Sequence, residues 1–295
     1  MKIKLFSLII LIFLFGRSFA NPEYYSPESV LQFADWLFTK GEYRRAASEY
    51  MRYLFINEKE PDDKILLKIG RCHSLSKEYE YALNIFNSIL KDFPYSPFKQ
   101  EVLYESAFIY FKTGLYNKSL DLLFIKTINS AGDGINSELI KEKYFLLGGI
   151  NCLYLKNWET ALILLGDPAL EKSEYKDLKD KLIILLEKSK SYDKRNPVIA
   201  GILSAIIPGS GKMYAGKPWD GLFSLITISI FGGMAAYSFL EQGLYSVSGW
   251  TYTSLGGVFY LGNIFGSVLA AMHYNAKHER ILFKETDDIL KNFTP

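Results

Sequence analysis

From Pro197 to Ala276 the chain carries only four formally charged side chains, Lys212, Lys217, Asp220 and Glu241, in eighty residues. A stretch so poor in charge cannot coat a water-soluble domain, so it either fills a large core or meets lipid. Three apolar blocks divide it. Val198 to Ile207 is short and ends at the break Pro208-Gly209-Ser210-Gly211, whereas Leu222 to Leu240 and Tyr252 to Met272 are each long enough to span a bilayer. The first block either crosses with the help of Gly211 to Tyr214 or dips in and returns, because a Pro-Gly break in lipid needs shelter from neighbouring helices.

The N-terminus bears on the same question. Lys2 and Lys4 precede an apolar run from Leu5 to Phe15, and Ser18-Phe19-Ala20 follows with small residues where a signal peptidase reads. The run is shorter than a spanning helix, so residues 1–20 are expected to be a cleaved secretory signal, with an uncleaved anchor as the alternative. With the following residues exported, three crossings would put Lys212, Lys217, Lys277, Arg280 and Lys284 inside and the Glu241 to Trp250 loop outside, as the positive-inside rule prefers. Two crossings would leave the basic flanks outside. Three crossings are therefore expected, with Tyr214, Trp219, Trp250, Tyr252 and Tyr274 as interfacial rings. Gly262, Gly266 and Ala270, and Gly232 with Ala236, recur every four residues and suggest close helix contacts, within the chain or in an oligomer.

Upstream, a second pattern organises the chain. Gly41-Tyr43-Ala46, Lys77-Tyr79-Ala82, Gly114-Tyr116-Ser119 and Lys156-Trp158-Ala161 recur at intervals of 36, 37 and 42 residues, the length of a pair of antiparallel helices. Small residues about twelve positions before the last member of each set, Ala34, Gly70, Ala107 and Gly149, would let the two helices of a pair approach. Residues 27–172 thus read as four helical pairs. Lys126 and the stretch Asn129 to Ser137 interrupt the register between the third and the fourth. Ser173 to Asp193 is charged, with Leu178, Leu182, Leu185 and Leu186 on one stripe, so residues 173–196 read as a capping or connecting helix.

The second unit, with Leu66, Ile69, Gly70, His73, Tyr79, Ala82, Phe86 and Pro94, resembles the tetratricopeptide-repeat family most closely. The expected fold is all-α: a tetratricopeptide-like solenoid of helical pairs followed by a transmembrane helical domain at 197–276 and a tail at 277–295. The resemblance implies a groove lined by the first helices, at Leu31, Asp35 and Phe38, then Lys64, Leu67 and Arg71, then Tyr104, Phe108 and Phe111, and finally Leu146, Ile150 and Leu153. A mostly apolar groove suits a protein helix or extended peptide better than a metabolite, unless neighbouring elements cover these side chains. His73 and Cys152 occupy packing positions of the repeat and read as structural.

In the C-terminal region, Pro208, Gly209, Gly211, Tyr214 and Gly216 form a Pro-Gly-x-Gly-x-x-Tyr-x-Gly string similar to that of small bacterial two-transmembrane domains, and Gly262-Asn263-Ile264-Phe265-Gly266 resembles the glycine-asparagine run of repeat-fused relatives. That resemblance implies a membrane module and no activity. Gly209-Ser210-Gly211-Lys212 is not a phosphate-binding loop, since Ile206 and Met213 stand where glycine and a hydroxyl are required. Asp220 and Asn263 are the polar residues of interest in this region, with Asp220 expected to cap the second segment.

A net charge of +2 gives no reason to expect nucleic acid, and Cys72 and Cys152 suggest neither a disulfide framework nor a zinc site. No cofactor, no metal and no catalytic arrangement is expected. The function expected from these features is a non-catalytic scaffold at a bacterial-type inner membrane, with exported repeats binding a protein or peptide. The alternative is an accessory subunit of a transport, secretion or insertion system in which the membrane domain is the working part. Either leaves a membrane complex or homo-oligomer open.

Overall fold

The computed structural model describes residues 26–57, 62–125, 138–190, 192–291 and 293, so the expected signal, Lys126 and the Asn129 to Ser137 stretch lie outside the described residues. Among the described residues the chain is helical, with thirteen α-helices and no strand. It divides into two compact units between Lys176 and Asp177.

The N-terminal unit contains α1 (Pro27–Thr39), α2 (Tyr43–Ile56), α3 (Asp63–Leu75), α4 (Tyr79–Asp92), α5 (Lys99–Lys112), α6 (Tyr116–Leu120), α7 (Glu138–Tyr154) and α8 (Trp158–Leu165). The helices pair as α1/α2, α3/α4, α5/α6 and α7/α8, and within each pair the connection is three residues long. The middle residue of each connection, Gly41, Lys77, Gly114 and Lys156, has φ of +77°, +62°, +77° and +61°. The next amide then donates back across the helix end, Glu42 to Leu37, Glu78 to His73, Leu115 to Tyr110 and Asn157 to Cys152, at 2.8–3.0 Å. This is a Schellman stop, which satisfies carbonyls the helix leaves open and reverses the chain. The recurring glycine or lysine in the sequence is therefore a left-handed turn residue, and the aromatic two positions later starts the second helix.

The small residues do the expected packing. Ala34, Ala46, Ala82, Ala107, Ser119 and Ala161 are fully buried. A Cβ on Gly70 would lie 2.2 Å from the Phe86 ring, and one on Gly149 2.6 Å from Leu165. In the third pair the Ser119 hydroxyl donates to the Ala107 carbonyl at 2.8 Å and accepts from Asn151 of α7 at 2.9 Å. Phe86 and Ile89 share a core with Leu67, Val102 and Ile109, so one pair packs on the next. Burial of a side chain like Phe86 contributes about 1.5–3 kcal/mol. The third pair departs from the others, since α6 ends at Leu120 and continues as a π-type turn over Asp121–Ile125.

The C-terminal unit is built from α9 (Lys176–Lys190), α10 (Pro197–Ile206), α11 (Ser210–Tyr214), α12 (Pro218–Gln242) and α13 (Val247–Ile289). All of α9 beyond its first residue groups here, where Lys188 lies 3.5 Å from Glu285 and the Tyr192 ring stacks on His278. The expected tail is not separate, because α13 continues unbroken from the apolar stretch to Ile289. α12 and α13 are long and apolar enough to cross a membrane, and only about a fifth of their apolar windows is buried (17% and 22%). α10, ten residues long, extends about 15 Å, half the hydrocarbon thickness of a bilayer.

Candidate functional site

The expected apolar groove is not an open surface. Leu67, Tyr104, Phe108, Phe111, Leu146, Ile150 and Leu153 are all buried. Tyr104 stacks on Tyr144 at 6.0 Å, and Phe111 meets Tyr154 at 5.8 Å. α5 and α7 lie side by side, so the aromatics that a repeat-by-repeat reading assigns to a groove are consumed in packing one pair on the next. Leu31 and Phe38 are half-buried against the first core.

Besides the exposed Phe33 and Trp36 of α1, what the first helices keep accessible at the expected groove positions is charged. Asp35 accepts from Lys68 of α3 and from the buried Tyr50 hydroxyl, both at 2.5 Å. Burial pushes the Asp35 carboxyl up, but those hydrogen bonds and the Lys68 and Lys64 charges outweigh it and hold it below the usual carboxylate range. Arg71 donates to Glu105 of α5 at 2.8 Å and also to Glu101. Burial drives the Glu105 carboxyl up, and Arg71 only partly offsets it. Lys64 is exposed. His73 is half-buried and stands 2.7 Å from Glu78, which also pairs with Arg44 at 2.6 Å, so it links two helical pairs.

The Pro208-Gly209 break turns the chain back. Gly209 has φ +86°, and Gly211 lies so close to α10 that a Cβ there would sit 1.8 Å from the Ala200 carbonyl oxygen. The Gly211 amide donates to Ser204 Oγ at 2.9 Å, and the Tyr214 hydroxyl accepts from the Asn196 amide at 3.1 Å, so α11 ends beside the start of α10. α13 runs alongside both. Its Asn263 accepts from the Gly209 amide at 3.2 Å and donates to the Ser204 carbonyl at 3.3 Å, Ser267 bonds Ser204 at 2.6 Å, and Asn275 pairs with both backbone groups of Arg195. The polar groups freed by the break are thereby satisfied inside the unit, as an apolar surround requires. Gly221 of α12 closes the other side, since a Cβ on Gly209 would fall 1.9 Å from its carbonyl oxygen.

These contacts bring Pro208, Gly209, Gly211, Tyr214, Gly216, Asn263 and Gly266 together: Gly216 faces Tyr274, and Gly266 faces the Lys212 stem. Two residues behave otherwise. Gly262 has open space around it, as does Gly232, so neither serves helix contact within the chain. Asp220 is not the cap of α12; that position is Lys217, and Asp220 sits exposed in the first turn, 3.8 Å from Lys217, where a carboxylate suits the helix dipole.

From sequence, Lys212 marks sidedness and falls outside any phosphate-binding loop. In the structure its ammonium donates to Ser224 Oγ at 2.7 Å, beside a cavity of about 320 Å³ lined also by Phe223, Thr227, Val258, Phe259 and Asn263. A lysine within an otherwise charge-poor block was the available signal. Among the described residues no cluster of three or more His, Cys, Asp or Glu could hold a metal ion. Compared with models of known families and with curated proteins, the chain matches none.

Proposed function

We propose that this chain is a membrane-anchored, non-catalytic scaffold at a bacterial-type inner membrane, with tetratricopeptide-like repeats on the exported side that bind a protein or peptide. The observation that carries the anchoring is the bare apolar surface of α12 and α13, with Phe223, Leu240, Val258 and Leu261 all well exposed. Contiguous apolar surface of that extent is a liability in water and is stable in lipid. The repeat reading is supported by four equal Schellman turns and by the buried small residues that flank each of them. With the apolar groove closed, the recognition surface is the charged one around Asp35, Lys64, Lys68, Arg71 and Glu101, suited to a partner with alternating charge.

The returning α10–α11 hairpin supports two crossings in place of the three expected from charge. The hairpin enters and returns on one side, so the repeats, Lys217 and the end of α13 share a compartment. The leading segment with Lys2 and Lys4 makes that compartment the exported one, since the first hydrophobic segment usually dominates orientation over later basic residues. A second reading makes the C-terminal unit the working part, and it rests on the Lys212, Ser224 and Asn263 group.

The scaffold reading is tested by a photo-crosslinking residue at Lys64 in the full chain in its own membrane, with Asn84 on the outer face of α4 as control. A discrete protein adduct from Lys64 and none from Asn84 is expected. No adduct from Lys64, in a chain that resists carbonate extraction, refutes the repeats' role and leaves the anchor standing.

A further inference from the structure

We infer that the cleft beside Lys212 binds the phosphate of an anionic bilayer phospholipid; this rests on the reading that α12 and α13 span a bilayer. Lys212 lies within α11, four residues before the left-handed Gly216, whose neighbour Tyr274 marks the interfacial end. Its stem lies over Gly266, where a Cβ would come 3.3 Å from Cε. Its ammonium meets Ser224, six residues into α12 from Pro218. The side chain thus points into the apolar layer. A basic side chain near the end of a span ordinarily does the reverse and snorkels to water.

Among the described residues no carboxylate stands within ion-pair distance of Lys212, and Ser224, its hydrogen-bond partner, is neutral. Ser224 takes one of three ammonium donors. A cation held in an apolar layer without a counter-ion is costly, so the remaining donors call for an anion. The lining of the adjoining cavity has the two characters an amphiphile needs, polar Lys212, Ser224 and Thr227 beside apolar Phe223, Val258 and Phe259. The two hydroxyls now bond back to the carbonyls of Asp220 and Phe223 and can rotate toward a tetrahedral oxyanion. About 320 Å³ accommodates a headgroup phosphate and the first methylenes, while the acyl chains continue over the exposed Phe223 and Val258. The apolar flanks make the source a lipid and not free phosphate.

The test is thermal unfolding of the full chain in neutral detergent, titrated with phosphatidylglycerol, with phosphatidylcholine and with sodium phosphate. Saturable stabilisation by phosphatidylglycerol is expected, weakened about ten- to hundredfold in apparent affinity by Lys212→Met, the range for one charge-assisted contact. Lys212→Arg should retain it within a few-fold, and Lys217→Met, at an exposed lysine, should leave it unchanged. Equal losses for Lys212→Met and Lys217→Met, no loss for Lys212→Met, or an equal response to sodium phosphate each overturn the inference. Should Lys212→Met fail to fold, Ser224→Ala/Thr227→Val keeps the cation and is expected to weaken phosphatidylglycerol several-fold; an unchanged titration overturns the site. Carbonate extraction is read separately, so a chain that stays in the membrane but ignores phosphatidylglycerol refutes the site alone.

Discussion

Replacing Gly211 by alanine tests the hairpin through a single methyl group. The added Cβ would lie 1.8 Å from the Ala200 carbonyl oxygen, and backbone cannot swing aside as a side chain can. Relieving the clash to even about 3 Å requires α10 and α11 to part by more than 1 Å, which also breaks the 2.9 Å bond from the Gly211 amide to Ser204. Overpacking of this kind costs about 1–3 kcal/mol, and the lost hydrogen bond about 0.5–1.5 kcal/mol. Alanine's better helix propensity returns less than about 1 kcal/mol. The expected net loss is about 1–4 kcal/mol. The matched control is Gly262→Ala, a helical glycine with open space around it, which should be neutral or stabilising by up to about 1 kcal/mol. Unfolding of both variants in mixed micelles, followed by tryptophan fluorescence, gives the comparison. If Gly211→Ala is as stable as Gly262→Ala, α11 does not pack on α10 and the returning hairpin is wrong.

In the repeats, Gly70→Ala drives a methyl to 2.2 Å from the Phe86 ring and should destabilise by about 1–3 kcal/mol in thermal unfolding, with recovery when Phe86→Leu makes room. Lys77→Gly relieves a left-handed backbone at φ +62° and should stabilise by about 1 kcal/mol in the same assay, whereas Gly41→Lys at φ +77° should cost a similar amount. Asp35→Asn removes a carboxylate whose pKa is lowered in the folded state, so the wild-type advantage should hold above the ordinary value of 3.8 and fade as pH falls below it. Asp35 is about half exposed, so solvent screening limits that advantage to about 1 kcal/mol at neutral pH; chemical denaturation of both proteins at pH 7 and pH 3 checks the sign.

The helical pairs were legible because their determinants are local. A left-handed turn at Gly41 or Lys77, an aromatic helix start and a buried alanine recur at fixed spacing, and each acts on residues within one turn of it. The groove was not legible. Whether Tyr104 or Leu146 faces a partner or the next helix depends on how closely α5 and α7 approach, which a repeat-by-repeat register does not encode. The Pro208 break was plain from its residues, but its direction was not. Ser204 and Asn263, distant in sequence, hold the returning segment, and the positive-inside rule weighs Lys212 as a loop charge although its ammonium bonds Ser224 of α12. The four-residue spacing of Gly262 meets no neighbour within the chain for a related reason, since periodicity identifies a face but not what lies against it.

The proposed two crossings rest on the returning hairpin, and site-directed thiol labelling reads the crossing number directly. Cys72 and Cys152 are buried, and burial pushes the Cys72 thiol up to about 12, so both should stay silent in the folded chain. Single cysteines are then placed at Ser48 in the repeats, at Tyr245 between α12 and α13, and at Lys291 beyond α13, and intact cells or sealed vesicles are treated with an impermeant maleimide. Labelling of Ser48→Cys and Lys291→Cys from one side, with Tyr245→Cys protected, is the result expected. Labelling of Ser48→Cys together with Tyr245→Cys, with Lys291→Cys protected, would mean three crossings and contradict it.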